Sequence, residues 1–170
     1  EFAGFLIRTL GLKGDTAKNF ADVTEDTPYA AEIAGFLVRT LGLKADSTEN
    51  FADVTAKTPY AAEIAIGRAL GILKGTDGVN YNPDAEISRQ DLMVICARGM
   101  RLIKELAEGG NMDFSDKEAI ADYAVLDIAA VVRAGIVRGN ADGTLNPLGN
   151  TTRAEGAVIM DRIAAWSANS

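Results

Sequence analysis

The chain repeats itself at two periods. Residues 1–13 return almost unchanged at 32–44. Phe20-Ala21-Asp22-Val23-Thr24 returns as Phe51-Ala52-Asp53-Val54-Thr55, and Thr27-Pro28-Tyr29 as Thr58-Pro59-Tyr60, in each case 31 residues later. A looser period of 63 or 64 residues joins Phe51-Ala52-Asp53 to Phe114-Ser115-Asp116 and Gly71-Ile72-Leu73-Lys74-Gly75 to Gly135-Ile136-Val137-Arg138-Gly139. It also joins Ser88-Arg89-Gln90-Asp91 to Thr152-Arg153-Ala154-Glu155. Fixed periods of this kind mark stacked supersecondary units, none of which buries its apolar face alone. The longer period divides the chain into full repeats at 51–110 and 111–170, preceded by a partial or hybrid repeat over 1–50.

Each full repeat reads as helix, Gly-rich loop, helix. Thr58-Pro59 predicts an N-cap and a proline at the first helical position. Ala61, Ile64, Ala65 and Ala69 follow at near-helical spacing, and Gly71 and Gly75 end the helix or shape the turn after it. Gly75 to Pro83 is loop chemistry, and a second helix is expected from Ser88 to about Leu106. The later repeat predicts helices over 120–134 and 153–166 around a loop at 135–150. Strand signals are few, so the expected class is all-α, tandem helix-loop-helix repeats. The hybrid segment Thr27–Lys44 begins like a first helix and ends like a second, with no Gly-rich loop between. A loop and its flanking half-helices missing near residues 32–35 would explain this; so would one fused helix of about 17 residues.

Composition narrows the function. With 170 residues and 48% apolar content the chain can build a real core. A formal charge of −7 suits neither nucleic acid nor an anionic membrane, so an anionic ligand would need local cations. The absence of histidine removes the commonest acid/base group near neutral pH and the commonest metal ligand. A non-catalytic chain with no cofactor and no metal is expected. The single cysteine, Cys96, lies in an apolar run and reads as a buried thiol without a disulfide partner. No apolar run approaches the ~18 residues of a membrane span, so no membrane insertion is expected. The chain opens at Glu1 inside an apolar helical pattern, as an excised or mature segment would.

The arginine in each second-helix start stands out. Ser88…Asp91 and Thr152…Glu155 fit a capping box, which accounts for the hydroxyl and the acid but not for Arg89 or Arg153 between them. A cation in a first helical turn faces the positive end of the helix dipole, at a cost of ~0.3–1 kcal/mol. A docked anion would reverse that cost by meeting a guanidinium fork and free backbone N–H groups together. A surface arginine, or one paired with Asp53 or Asp116, is the plainer alternative. Asp53 and Asp116 are candidates to orient the arginine or bind a ligand's polar groups, and equally to cap a turn. Tyr60 and Tyr123 could pack on a ligand face or in the core. Gly75 and Gly139 serve backbone shape first and ligand approach second. Two rivals fare worse. Placing Gly143 at the glycine of a calcium loop puts Arg138 and Gly149 at ligand positions. A carboxylate-pair glycosidase would need a larger scaffold than these capping acids have.

These motifs resemble the S-layer homology family: Phe51-x-Asp53-Val54, Tyr60, Gly71-Ile72-Leu73-x-Gly75, Asp77-Gly78 with Asn82-Pro83, and Ile87-Ser88-Arg89-Gln90-Asp91. The later repeat supplies Phe114-x-Asp116, Tyr123, Gly135-Ile136-Val137-x-Gly139, Asp142-Gly143 with Pro147, and Thr151-Thr152-Arg153-Ala154-Glu155. The resemblance implies a pseudo-threefold helical array and an extracellular, cell-wall location. It further implies anchoring to secondary cell wall polysaccharide of Gram-positive bacteria, often through pyruvate-ketal sugars. A helical module for protein–protein assembly within a surface layer is the alternative. The hybrid segment departs from the pattern and should lack a complete site.

Overall fold

The structure, a computed structural model, describes residues 29–168. Its helices are α1 (Tyr29–Thr40), α2 (Ala61–Ala69), α3 (Arg89–Arg101), α4 (Val125–Arg133) and α5 (Arg153–Ala168), with a 3-10 turn at Lys117–Ala119. Among the described residues no strand forms beyond one antiparallel bridge between Ser88 and Asn150, so the fold is all-α as expected. The motifs at 1–28, including the first copies of the short repeat, lie outside the described residues. The chain separates into two compact units, one ending at Ala85 and the other starting at Glu86. That boundary falls inside a sequence repeat, between its loop and its second helix.

In the first unit α1 packs on α2. Ile33, Ala34 and Leu37 of α1 and Ile64 and Ala65 of α2 are buried in its core. Gly35 makes the close approach possible: a Cβ there would come within 2.2 Å of Cδ1 in the Tyr60 ring. That ring meets Phe36 edge-on, with centroids 6.1 Å apart, and lies under the Arg39 guanidinium at 5.0 Å. Arg39 in turn pairs with Glu63 at 2.7 Å.

Residues 32–35 lie within α1. Its opening reads like a first helix but occupies a second helix's place. The N–H groups of Ala30 and Ala31 bond to the carbonyls of Ala85 (3.2 Å) and Pro83 (3.4 Å). In the second unit Arg89 and Gln90 bond in the same way to Gly149 and Pro147, both at 2.9 Å. These loop acceptors are 64 residues apart, which is the long period. Ala30 therefore stands where Arg89 does.

The second unit packs α3 on α4. Every residue from Leu92 to Ala97 is buried, and burial pushes the Cys96 thiol far above its usual range. Ile128, Val131, Leu145, Met160 and Ile163 complete the core.

Three expected boundaries move. Helix α2 starts at Ala61 because Thr58 spends its hydroxyl on the Thr55 N–H (3.0 Å), closing an earlier turn. Tyr60 is then the N-cap, in a left-handed conformation (φ 57°). Helix α4 starts at Val125, since residues 117–119 form the 3-10 turn. Helix α3 stops at Arg101, and Lys104 beyond it reaches the Trp166 carbonyl (3.2 Å) and ring.

Candidate ligand groove

The acid that opens each repeat holds that repeat's loop. The carboxylate of Asp116 accepts from the backbone N–H groups of Leu145 (2.8 Å) and Asn146 (2.7 Å). Asp53 does the same for Tyr81 (2.8 Å) and Asn82 (2.6 Å). The Leu145 N–H in particular holds the Asp116 carboxyl below the usual carboxylate range. Such a clamp is needed because Asn82 and Asn146 take left-handed φ values of 57° and 55°, which cost an L-residue energy unless neighbours fix them. Gly75 and Gly139 lie under the opening aromatic rings. A Cβ on Gly139 would come within 2.5 Å of Phe114 Cε1 and 3.0 Å of the Thr144 carbonyl; one on Gly75 would come within 2.8 Å of Phe51 Cε1. Both glycines give the loop its shape. Asp142 closes its own turn on Thr144 (3.0 Å), and Asp77 does so on Val79 and Asn80. Among the described residues no cluster of three or more potential metal ligands exists.

Arg89 opens α3 and is 6% exposed. Its Nε donates to the Leu145 carbonyl (3.0 Å) and its Nη1 to Glu155 Oε1 (2.6 Å). Nη2 makes no hydrogen bond among the described residues. The alternative in which Asp116 pairs directly with the arginine does not form. Asp116 bonds to backbone N–H groups, and the carboxylate paired with Arg89 belongs to Glu155. Glu155 does two jobs. Its Oε2 accepts the Thr152 N–H (2.8 Å) while the Thr152 hydroxyl accepts the Glu155 N–H (3.2 Å), a complete capping box. Ser88 and Asp91 form the weaker version: the Asp91 N–H bonds to the Ser88 hydroxyl (3.2 Å), and that hydroxyl bonds back to the Asp91 carboxylate (2.6 Å).

Beside Arg89 lies a groove of about 290 Å³, lined by Arg138, Asn140, Glu155 and Arg162 as well as apolar Val158 and Ile159. Three guanidiniums face one carboxylate here, a local formal charge of +2 on a chain whose total is −7. Arg138 is exposed, with no partner among the described residues. Arg162 donates to the Ile136 carbonyl at 2.9 Å. The first turn of α5 reaches the groove at Ala154 and Glu155, where the positive end of its dipole adds to the field.

Of the sequence candidates, Arg89 lines the groove, and Asp116 and Gly139 shape the loop beside it. Arg153, at the start of α5 and half-buried, does not line it. Tyr123 is 57% exposed, and its hydroxyl donates to Asp91 (2.7 Å) and accepts from Gln90 (3.2 Å), bracing the helix start next to Arg89. Asp53, Tyr60 and Gly75 belong to the first unit. Sequence reasoning did not single out Arg138, Asn140 or Arg162 as groove residues. The spacing Glu155, Val158, Ile159, Arg162 is one helical face and was a usable signal.

The S-layer homology domain family matches residues 50–93 and 113–157, more than half of the chain. An amylopullulanase of Thermoanaerobacterium thermosulfurigenes is 35% identical over 101 residues, covering 58% of this chain and 5% of that protein. The exoglucanase XynX of Acetivibrio thermocellus is 33% identical over 92 residues, covering 53% of this chain and 8% of that protein. The chain thus matches only a small part of either relative. S-layer homology domains are non-catalytic modules that bind cell wall polymers and anchor proteins at the cell surface. No helix among the described residues is long and apolar enough to cross a membrane. With its paired loop clamps and its two matched repeats, the chain belongs to the S-layer homology domain family.

Proposed function

We propose that the groove beside Arg89 grips an anionic secondary cell wall polysaccharide, and that a pyruvate-ketal carboxylate is the group it recognises. The observation that carries this reading is the reversal of charge: three arginines against one glutamate in a groove of an acidic chain. A ketal carboxylate can take the unused Nη2 of Arg89 and the exposed fork of Arg138 together. Val158 and Ile159 offer an apolar wall for the ketal methyl and the sugar face. Glu155 opposes an anion but is already neutralised by Arg89.

The test is sedimentation with sacculi from a Gram-positive bacterium that carries a pyruvylated secondary polymer, before and after the polymer is removed. The chain should pellet with intact sacculi and stay in solution with stripped ones. Removing only the ketal should also release it. Arg138→Ala should weaken pelleting about tenfold, the scale of one charge-assisted contact. Pelleting that survives polymer removal overturns the proposal.

A further inference from the structure

We infer that Asp116 is a positioning residue for the groove, acting on Arg89 through the backbone of Leu145. The inference rests on the proposed anion-binding role of Arg89. Leu145 is held from both sides. Its N–H is taken by Asp116 Oδ1 (2.8 Å), and its carbonyl takes Arg89 Nε (3.0 Å). Its side chain is 0% exposed, so the peptide has little freedom to relax toward any other partner. Asp116 also fixes the next N–H, that of Asn146 (2.7 Å), at a left-handed residue. Moving this loop moves the acceptor that aims the guanidinium, and with it Nη2. A second brace, from the Ser115 N–H to the Gly143 carbonyl (3.0 Å), ties the same two segments.

The first unit supplies the comparison. Asp53 clamps Tyr81 and Asn82 with the same geometry, and the Ala52 N–H bonds to Val79 (2.9 Å) in place of the Ser115 brace. There the residue in the place of Arg89 is Ala30, and the Tyr81 hydroxyl bonds to the Ala30 carbonyl (2.8 Å). The two clamps do the same work on the backbone. Among the described residues only one of them is linked to an arginine.

The experiment measures three things on the full chain: affinity for a soluble pyruvate-ketal oligosaccharide, thermal stability, and hydrogen-exchange protection of the Arg89 Nε–H by NMR. Asp116→Asn should lower affinity about tenfold and lower Arg89 Nε–H protection in parallel. In an Arg89→Gln background the same change should cost no further affinity, which a purely structural role would not produce. Asp53→Asn should lose similar stability yet bind within about twofold of wild type. Unchanged Arg89 Nε–H protection in Asp116→Asn overturns the inference, as do additive losses in the double variant. If wild type fails to bind the oligosaccharide, the anion-binding proposal fails, while the protection measurement still decides whether Asp116 places Arg89. Should Asp116→Asn not fold, wild-type exchange decides. One loop movement would expose the Leu145 and Asn146 amides and the Arg89 Nε–H together. Arg89 exchanging independently of both amides overturns the inference.

Discussion

Replacing Arg89 by methionine should destabilise the second unit, and the size of the loss follows from what the guanidinium holds. Methionine keeps most of the apolar stem, so packing along it is largely preserved. What is lost is polar. The Leu145 carbonyl, on a residue 0% exposed, would be left without its donor, at about 1–3 kcal/mol. The ion pair with Glu155 contributes less, because the Glu155 side chain is 39% exposed and solvent screens it to about 1 kcal/mol or below. Together the loss is about 1–4 kcal/mol, which at about 2–4 °C per kcal/mol for a chain of this length lowers Tm by about 2–16 °C. Scanning calorimetry at neutral pH reads it directly. Arg138→Ala is the companion measurement, since Arg138 is exposed and pairs with no described residue. Its Tm should stay within about 1 °C of wild type while wall binding falls. A Tm for Arg89→Met within that same margin would refute the argument that Arg89 braces the loop through buried bonds. It follows that loss of binding in an Arg89 variant alone does not separate recognition from stability, whereas loss in Arg138→Ala does.

Gly139→Ala should cost about 1–3 kcal/mol, because the added methyl meets the Phe114 ring at 2.5 Å and the Thr144 carbonyl at 3.0 Å; urea unfolding would show it as a lower midpoint at unchanged slope. Asp116 also sets a pH dependence. Its folded pKa lies below the ordinary aspartate value of 3.8, held there first by the Leu145 N–H, so its contribution is present above that value and is lost as pH falls through the folded one. The Tm gap between wild type and Asp116→Asn should therefore be full near about pH 6 and close toward about pH 2. A gap that persists undiminished at the acid end would show that the clamp does not depend on the carboxylate charge.

How far the site could be read from residues alone depended on whether its bonds run through side chains. Arg89 was legible because helix capping accounts for Ser88 and Asp91 and leaves the arginine unexplained. The partners of Asp116 were not, because they are backbone N–H groups 29 and 30 residues downstream, and every non-proline residue carries one. The alternative that the arginine pairs with Asp53 or Asp116 does not form; the carboxylate that Arg89 meets is that of Glu155, on another helix. Arg138 was hidden differently. It fills the variable position of a turn whose glycines drew attention to backbone shape. The helix starts at Ala61 and Val125 were misplaced for a related reason. Thr58 has the chemistry of an N-cap, but it spends its hydroxyl on its own turn.

The hybrid segment shows what the second-helix place requires of its sequence. Helix α1 keeps two backbone N–H groups for the loop carbonyls of Ala85 and Pro83, which any residue but proline supplies. It keeps the apolar face of Ile33, Ala34 and Leu37, and Arg39 for Glu63, just as α3 keeps Arg98 facing Asp127 at 4.0 Å. It does not keep the arginine. At that place Ala30 suffices, because Tyr81, which takes the place of Leu145, brings its own hydroxyl to the Ala30 carbonyl. A second helix can therefore close onto its loop without a guanidinium in the first turn. The fold tolerates alanine there, and a cation at that position works against the helix dipole. What distinguishes Arg89 from Ala30 is a guanidinium that holds the Leu145 carbonyl and Glu155 and lines the arginine-rich groove.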